Sequence, residues 1–255
     1  MCATVKTIEQ LLQELAPFET AEGFDNAGLL LGRREQPVRR VLVALDATLD
    51  VVREAKEIGA ELIVTHHPLF FHPRKNLVEE DPEARIACEM IRGEIALLSA
   101  HTNLDQTTLS GSACSARLLG LKNLRQKGYL FIGDLETPLS AGTLRQKITA
   151  ALRFPARLYG QEEWKISCLA VAGGADDGDW LTARQEGAQA LLTGEVRHHN
   201  ALAATMEGFA LLDGGHYGTE APLVPALAEY LQNRLNDVQC EVRVYPSQCA
   251  PFGHA

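Results

Sequence analysis

The sequence predicts an α/β protein built as two interlocked α/β lobes related by a weak internal repeat. Residues 41 to 68, VLVALDATLDVVREAKEIGAELIVTHHP, read as strand, helix and strand. Residues 169 to 194 match that unit without a gap after a shift of 128 positions. In both stretches polar, ligand-type side chains follow a strand, and in open α/β sheets the carboxyl ends of strands are where ligands bind.

Along the chain, Thr7-Ile8-Glu9-Gln10 has the form of a capping box. It opens an amphipathic helix through Ile8, Leu11, Leu12 and Leu15 that Pro17 ends, so the N-terminal segment reads as structure and not as a signal peptide. Residues 23 to 28, GFDNAG, are turn chemistry before the apolar run Leu29 to Leu31. Asp25 and Asn26 there read as an Asx-type turn, with pocket lining as the alternative. Val41 to Leu45 is a strand; Val51, Val52, Ala55 and Ile58 recur at helical spacing, and Gly59 closes the helix. Leu62, Ile63 and Val64 form the uniformly apolar run of a parallel strand covered on both faces. Pro68 cannot donate to a ladder, so His66 and His67 fall where strand becomes loop. His72, before Pro73, reads as a residue of an exposed lid. A helix over 83–92, a strand over Ile95 to Leu98, the polar run Ser99 to Asp105 and a helix over 111–119 follow. From Leu121 to about Gly160 the chain is locally basic and holds one clear helix, Leu144 to Leu152. A lobe boundary near Gly128 divides 1–127 with 221–255 from 128–220.

Composition sets outer limits. A content of 46% hydrophobic and 22% charged residues is that of an ordinary globular protein. The formal charge of -9 argues against broad binding to nucleic acid or an anionic membrane and suits a cation-binding protein. No apolar run reaches membrane-spanning length. Cys2, Cys88, Cys114, Cys168, Cys240 and Cys249 are scattered without CxxC spacing, which predicts reduced thiols and a cytoplasmic location. Cys2 reads as an incidental small residue.

The repeat picks out a site. It places Thr65-His66-His67 on Thr193-Gly194-Glu195, and at a shift of 115 it places His101 and Asp105 on His216 and Glu220. Stereotyped βαβ patterning explains the apolar matches but not two histidine–carboxylate pairs of equal spacing. Adjacent histidines on a strand point to opposite faces, so His66 and His67 serve two ions or none; the plain alternative is a solvated loop pair. If the halves face each other, His66, His67, Asp105, His216 and Glu220 converge, with His101 and Glu195 nearby. Imidazole and carboxylate without thiolate suit Zn, Mn or Fe(II) better than Mg. Shared between two cations about 3.5–4 Å apart, five ligands leave positions for water and substrate, as in two-metal hydrolysis. Glu220 also precedes a helix whose first turn carries Pro222 and Pro225, where the helix dipole favours a carboxylate.

Five segments carry a family resemblance: GFDNAGLLLG (23–32), GAELIVTHHPLFF (59–71), HTNLD (101–105), LLTGEVRHHNALAA (191–204) and GGHYGTE (214–220). Together they resemble the GTP cyclohydrolase I type 2 homolog, or Nif-three-like, family across nearly the whole chain. Phe24 departs from the tryptophan common there. The resemblance implies a toroidal homohexamer of two-lobed subunits with a dinuclear metal site in the cleft between the lobes. It implies that His67 and Asp105 hold one metal, His66 and His216 the other, and that Glu220 bridges them. The family name implies ring-opening hydrolysis of GTP, although a fold and site do not fix a substrate. His198 and His199 resemble a family-typical pair and read either as acid–base groups in the cleft, beside the catalytic candidates His101 and Glu195, or as residues flanking a helix near Asn200. Tyr217 reads as a packed aromatic.

Two functions follow as expectations. One is a metal-dependent hydrolase of a nucleotide or other phosphorylated small molecule. The other is a non-catalytic metal-dependent binding, chaperone or regulatory protein. Membrane and nucleic-acid partners are not expected in either case. Apolar and Pro-rich stretches at Pro68 to Pro73 and Pro246 to Ala255 are weak signals of self-association.

Overall fold

The computed structural model describes residues 3–175, 178–237 and 241–250. Cys2, Cys240 and the last part of the Pro246–Ala255 tail lie outside the described residues. The chain forms two compact units, one of residues 1–107 with 224–255 and one of 108–223. The first crossing therefore comes at 107/108, earlier than the expected 127/128, because the helix over 111–118 and the basic strand after it pack with the second sheet. The return crossing falls at 223/224, three residues after the expected point.

Helix α1 (Val5–Leu15) buries Val5, Ile8, Leu11 and Leu12. It starts before the expected capping box: Thr4 is the N-cap, and its backbone N–H donates to Thr7 Oγ1 at 3.1 Å. Thr7 thus plays the third-position role that the sequence suggested for Gln10, and the motif is displaced by one turn. Then come β1 (Gly28–Leu31), β2 (Arg40–Ala44), α2 (Leu49–Ile58), β3 (Leu62–Thr65), α3 (Pro82–Arg92), β4 (Ala96–Ser99) and the single turn α4 (Thr102–Asp105). Both ends of α2 obey local chemistry. Thr48 Oγ1 accepts the Val51 N–H at 3.2 Å, a cap worth about 1 kcal/mol, and Gly59 takes the left-handed conformation at φ 65°.

The second unit contributes α5 (Gly111–Leu118), β5 (Lys122–Lys127), β6 (Leu130–Ser140), α6 (Ala141–Leu152), β7 (Arg157–Tyr159), β8 (Lys165–Ala175), α7 (Trp180–Gln185), β9 (Ala190–Glu195), α8 (His198–Met206), β10 (Ala210–Asp213) and α9 (His216–Glu220). The chain returns to the first unit through α10 (Leu223–Asp237) and β11 (Arg243–Pro246). Leu227, Leu231 and Leu235 of α10 are fully buried, and Tyr230 donates its hydroxyl to the Leu11 carbonyl.

In the first unit the sheet order is β1-β4-β3-β2-β11. Strands β11, β2, β3 and β4 run parallel and β1 antiparallel at the edge. Leu42, Ile63 and Leu97 anchor one core cluster with Met90 of α3 and Ala55 of α2. The second unit has the order β5-β6-β8-β9-β10-β7, with β8, β9 and β10 parallel. Leu169, Val171, Leu192 and Leu212 face one cluster while Ala170, Leu191 and Leu211 face another. Alternate residues of its central strands are thus covered on both faces. The first unit therefore carries four adjacent parallel strands and the second three. Val41 pairs with Leu62, and Leu169 pairs with Ala190.

Candidate metal centre

In the first unit β3 delivers Thr65, His66 and His67 to the strand end. Thr65 is fully buried, and its hydroxyl pairs with Ser99 Oγ at 2.8 Å and donates to the His67 carbonyl at 2.8 Å. This fixes the turn that carries both imidazoles. His66 is fully buried and His67 partly buried. From β4, His101 caps α4, and Asp105 ends it. One ligand atom from each of His66, His67 and His101 lies within 4.8 Å of the others. Asp105 Oδ1 stands 3.6 Å from His66 Nε2.

Each of these rings is oriented through Nδ1. His66 Nδ1 meets the Ala100 carbonyl at 2.9 Å, His67 Nδ1 meets Asp46 Oδ1 at 2.7 Å, and His101 Nδ1 meets Asp25 Oδ1 at 2.9 Å. Carbonyl and carboxylate oxygens only accept, so Nδ1 carries the hydrogen and Nε2 the basic lone pair in each neutral ring. Histidines that ligate metals are arranged in this way, since the outer partner fixes tautomer and angle and raises ligand basicity. Asp25 departs from the plain Asx turn. Besides accepting the Asn26 N–H at 2.7 Å, it accepts the Thr102 N–H at 3.0 Å and the Thr102 hydroxyl. Burial opposes its ionisation, but the hydrogen bonds from His101 and Thr102 outweigh this and hold its carboxyl well below the usual range. Asn103, fully buried, accepts the His101 N–H and donates to the Ala16 carbonyl, tying α4 to the end of α1.

The second unit presents the other group. His216 opens α9 and Glu220 ends it, one turn on, with Nε2 and Oε2 3.1 Å apart. His216 Nδ1 meets Glu195 Oε1 at 2.8 Å, the arrangement of the first unit again. Glu195 is thus the orienting partner of His216. Glu220 is 4% exposed and sits in a glycine cradle. A Cβ on Gly174, whose φ is 71°, would fall 2.2 Å from Glu220 Oε1, and one on Gly111 would fall 3.0 Å from Glu220 Cα. Gly194 makes room for the start of α9, since a Cβ there would lie 2.6 Å from His216 Cα. The expected dipole argument does not apply: Glu220 ends α9 and does not open α10, so its burial comes from close glycine backbone.

His198 and His199 are the first residues of α8, which begins two residues before Asn200, and both are exposed. His72 is an exposed loop residue. Tyr217 is partly buried against Phe154, ring centroids 6.5 Å apart. Asp46 and the full role of Asp25 were missed by sequence reasoning; their signal was position, a carboxylate beside the end of a strand that neighbours a histidine-bearing one.

Imidazole nitrogens with carboxylate oxygens are a donor set that fits a borderline divalent cation such as Zn, Mn or Fe(II). The fold and these side chains together define an α/β protein with histidine–carboxylate groups, able to hold a metal ion, at its strand ends. The family described as Duf34/NIF3 (NGG1p interacting factor 3) matches residues 3–251, and the chain belongs to it. A GTP cyclohydrolase 1 type 2 homolog of Streptomyces coelicolor is 33% identical over 254 residues, covering 93% of this chain and 88% of the relative. A GTP cyclohydrolase 1 type 2 of Helicobacter pylori is 31% identical over 231 residues, covering 91% and 93%. Among solved structures, a hypothetical protein of Staphylococcus aureus superposes with a TM-score of 0.94 at 28% identity over the whole of both chains. A Bacillus cereus protein related to NIF3 has the same fold, with a TM-score of 0.94 at 22% identity and full coverage of both. Among the described residues no helix is long and apolar enough to cross a membrane.

Proposed function

We propose that the protein is a metal-dependent hydrolase acting on a nucleotide or another phosphorylated small molecule. Two divalent cations, Zn, Fe or Mn, would be held by His67 with Asp105 and by His66 with His216, and Glu220 would be shared between them. The observation that carries the reading is the common orientation of His66, His67, His101 and His216, each engaged through Nδ1 by an acceptor at a neighbouring strand end. A paired cation site supplies Lewis acidity and positions a nucleophile for in-line attack. The chain's own part is to hold the imidazoles in one tautomer, to seat Glu220 against close glycine backbone beside His216, and to shield His66 from bulk water. His101, in the cluster but outside the ligand pairs, serves as the proton-transfer group, with Asp25 setting its tautomer. The names of the Streptomyces and Helicobacter relatives support a nucleotide substrate. The assembly is a cytoplasmic homohexamer.

Protein reconstituted with Zn, Mn or Fe(II) and screened against nucleotides should release product, and His67→Ala should not. Inactivity under all three metals would refute the hydrolase reading and favour a metal-dependent binding protein. Light scattering at micromolar concentration should give six times the 27.8 kDa chain mass, and a monomer mass would overturn the assembly.

A further inference from the structure

We propose that a cavity in the second unit, between α6 and the edge strand β7, is an anion subsite in which Arg145 and Arg157 hold a phosphoryl arm of the ligand. The cavity is an open cleft of about 560 Å3, within the size range of small-molecule sites. It lies at the carboxyl end of β10, where parallel sheets place ligands. Gly215 and Asp213 line its inner side and Phe154 its wall. Gly215 immediately precedes His216, so a ligand seated here lies one residue from a proposed metal ligand.

Phe154 joins the cavity to α9. A Cβ on Gly215 would approach the Phe154 ring to 2.3 Å, and one on Gly218 would lie 2.9 Å from Phe154 Cβ and 3.1 Å from the ring, so only bare backbone admits this side chain. The wall and the first turn of α9 are therefore in direct contact, and Phe154 cannot move without disturbing the helix that carries His216 and Glu220.

Charge decides what the cavity takes. Arg157 stands opposite Asp213 across the β7–β10 ladder, and its guanidinium lies 3.3 Å from the Tyr159 hydroxyl. Asp213 accepts the Gly215 N–H at 3.0 Å through Oδ1 and remains an anion beside Arg157, so its charge offsets part of the guanidinium's. Arg145 faces Glu162 at 3.7 Å, but the Glu162 side chain is 73% exposed, so that pair is loose and screened. A phosphoryl group accepting fork-like bonds from the guanidiniums displaces Glu162 into water at little cost, and with Glu162 displaced the two arginines outnumber Asp213.

The subsite's role in catalysis rests on the metal-hydrolase reading; its affinity for phosphate oxygens does not. The test is calorimetric titration of the full chain with inorganic pyrophosphate, with chelator present so that metal binding is silent. The wild-type protein should bind. Arg145→Ala and Arg157→Ala should each weaken binding about tenfold. Glu162→Gln should strengthen it by about twofold to fivefold, a gain that misfolding cannot imitate. No binding by the wild type, or arginine variants that bind as it does, would overturn the subsite whatever the turnover assays show. Pyrophosphate binding without turnover of any nucleotide would retain the subsite and refute the hydrolase reading.

Discussion

Replacing Asp46 by Asn separates a metal-orienting carboxylate from a bystander. Asp46 Oδ1 lies 2.7 Å from His67 Nδ1, and the two side chains are 34% and 18% exposed. Asn has the same shape and its carbonyl still accepts the Nδ1 hydrogen, so the ring keeps its tautomer. What is lost is the negative charge that makes the imidazole a better donor to a cation. Replacing such outer partners typically costs 10–100-fold in metal affinity, or about 1.4–2.7 kcal/mol. The partial exposure of the pair places the expectation near the lower figure. Competition against a chromophoric chelator reads the affinity, and circular dichroism confirms the fold. In a His67→Ala background the same change should cost nothing further, because the coupled partner is gone. An unchanged affinity in the single variant, or an equal loss in both backgrounds, would refute the assigned role.

Further outcomes follow from the same geometry. On the proposed two-cation reading, in which Glu220 would be shared, Glu220→Ala should lose both metals on dialysis, whereas His216→Ala should weaken one and Asp105→Ala the other, because a shared carboxylate would offset the repulsion of adjacent dications; metal content per subunit checks this. Gly174→Ala should destabilise the fold by more than the ~1–2 kcal/mol of a left-handed non-glycine residue, since its Cβ also strikes Glu220, and denaturant unfolding measures it. Met90→Ala should cost about 2–5 kcal/mol in the same assay, as Met90 is fully buried between helix and sheet. Cys114 should resist thiol reagents in the native state, since burial pushes its thiol up, and should react on unfolding.

What the sequence made legible were elements whose pattern is local. Leu62 to Val64, with Gly59 before and Pro68 after, could be little other than a buried strand, and β3 has those neighbours. The histidines at its end and the pairs His101/Asp105 and His216/Glu220 were visible as residue types at repeated spacing. The β5–β6 hairpin was not, because β5 is an exposed edge strand, KNLRQK, whose charges guard an open edge and hide any alternation. Edge strands β7 and β11 are three and four residues long, too short to show a period. Asp25 and Asp46 stayed hidden for a different reason. Their partners lie 76 and 21 residues away, and only strand order brings them together.

That strand order explains the site's construction. Asp46 follows β2 and orients His67 at the end of the adjacent β3. Asp25 precedes β1 and orients His101 after β4, which β1 pairs so that Gly28 faces Ser99. Glu195 ends β9 and orients His216 after its neighbour β10. The Ala100 carbonyl after β4 does the same for His66 after β3. In every case imidazole and acceptor sit on neighbouring strand ends, so their separation is set by the spacing of paired strands, about 4.8 Å, and not by the conformation of a long loop. A one-residue slip of any of these ladders would turn each side chain to the other face and dissolve the pair. The buried runs Leu42 to Ala44, Ile63 to Thr65 and Leu191 to Thr193 therefore act on the donor geometry directly: the hydrophobic pattern that fixes register also fixes which nitrogen of each histidine is left as the basic donor.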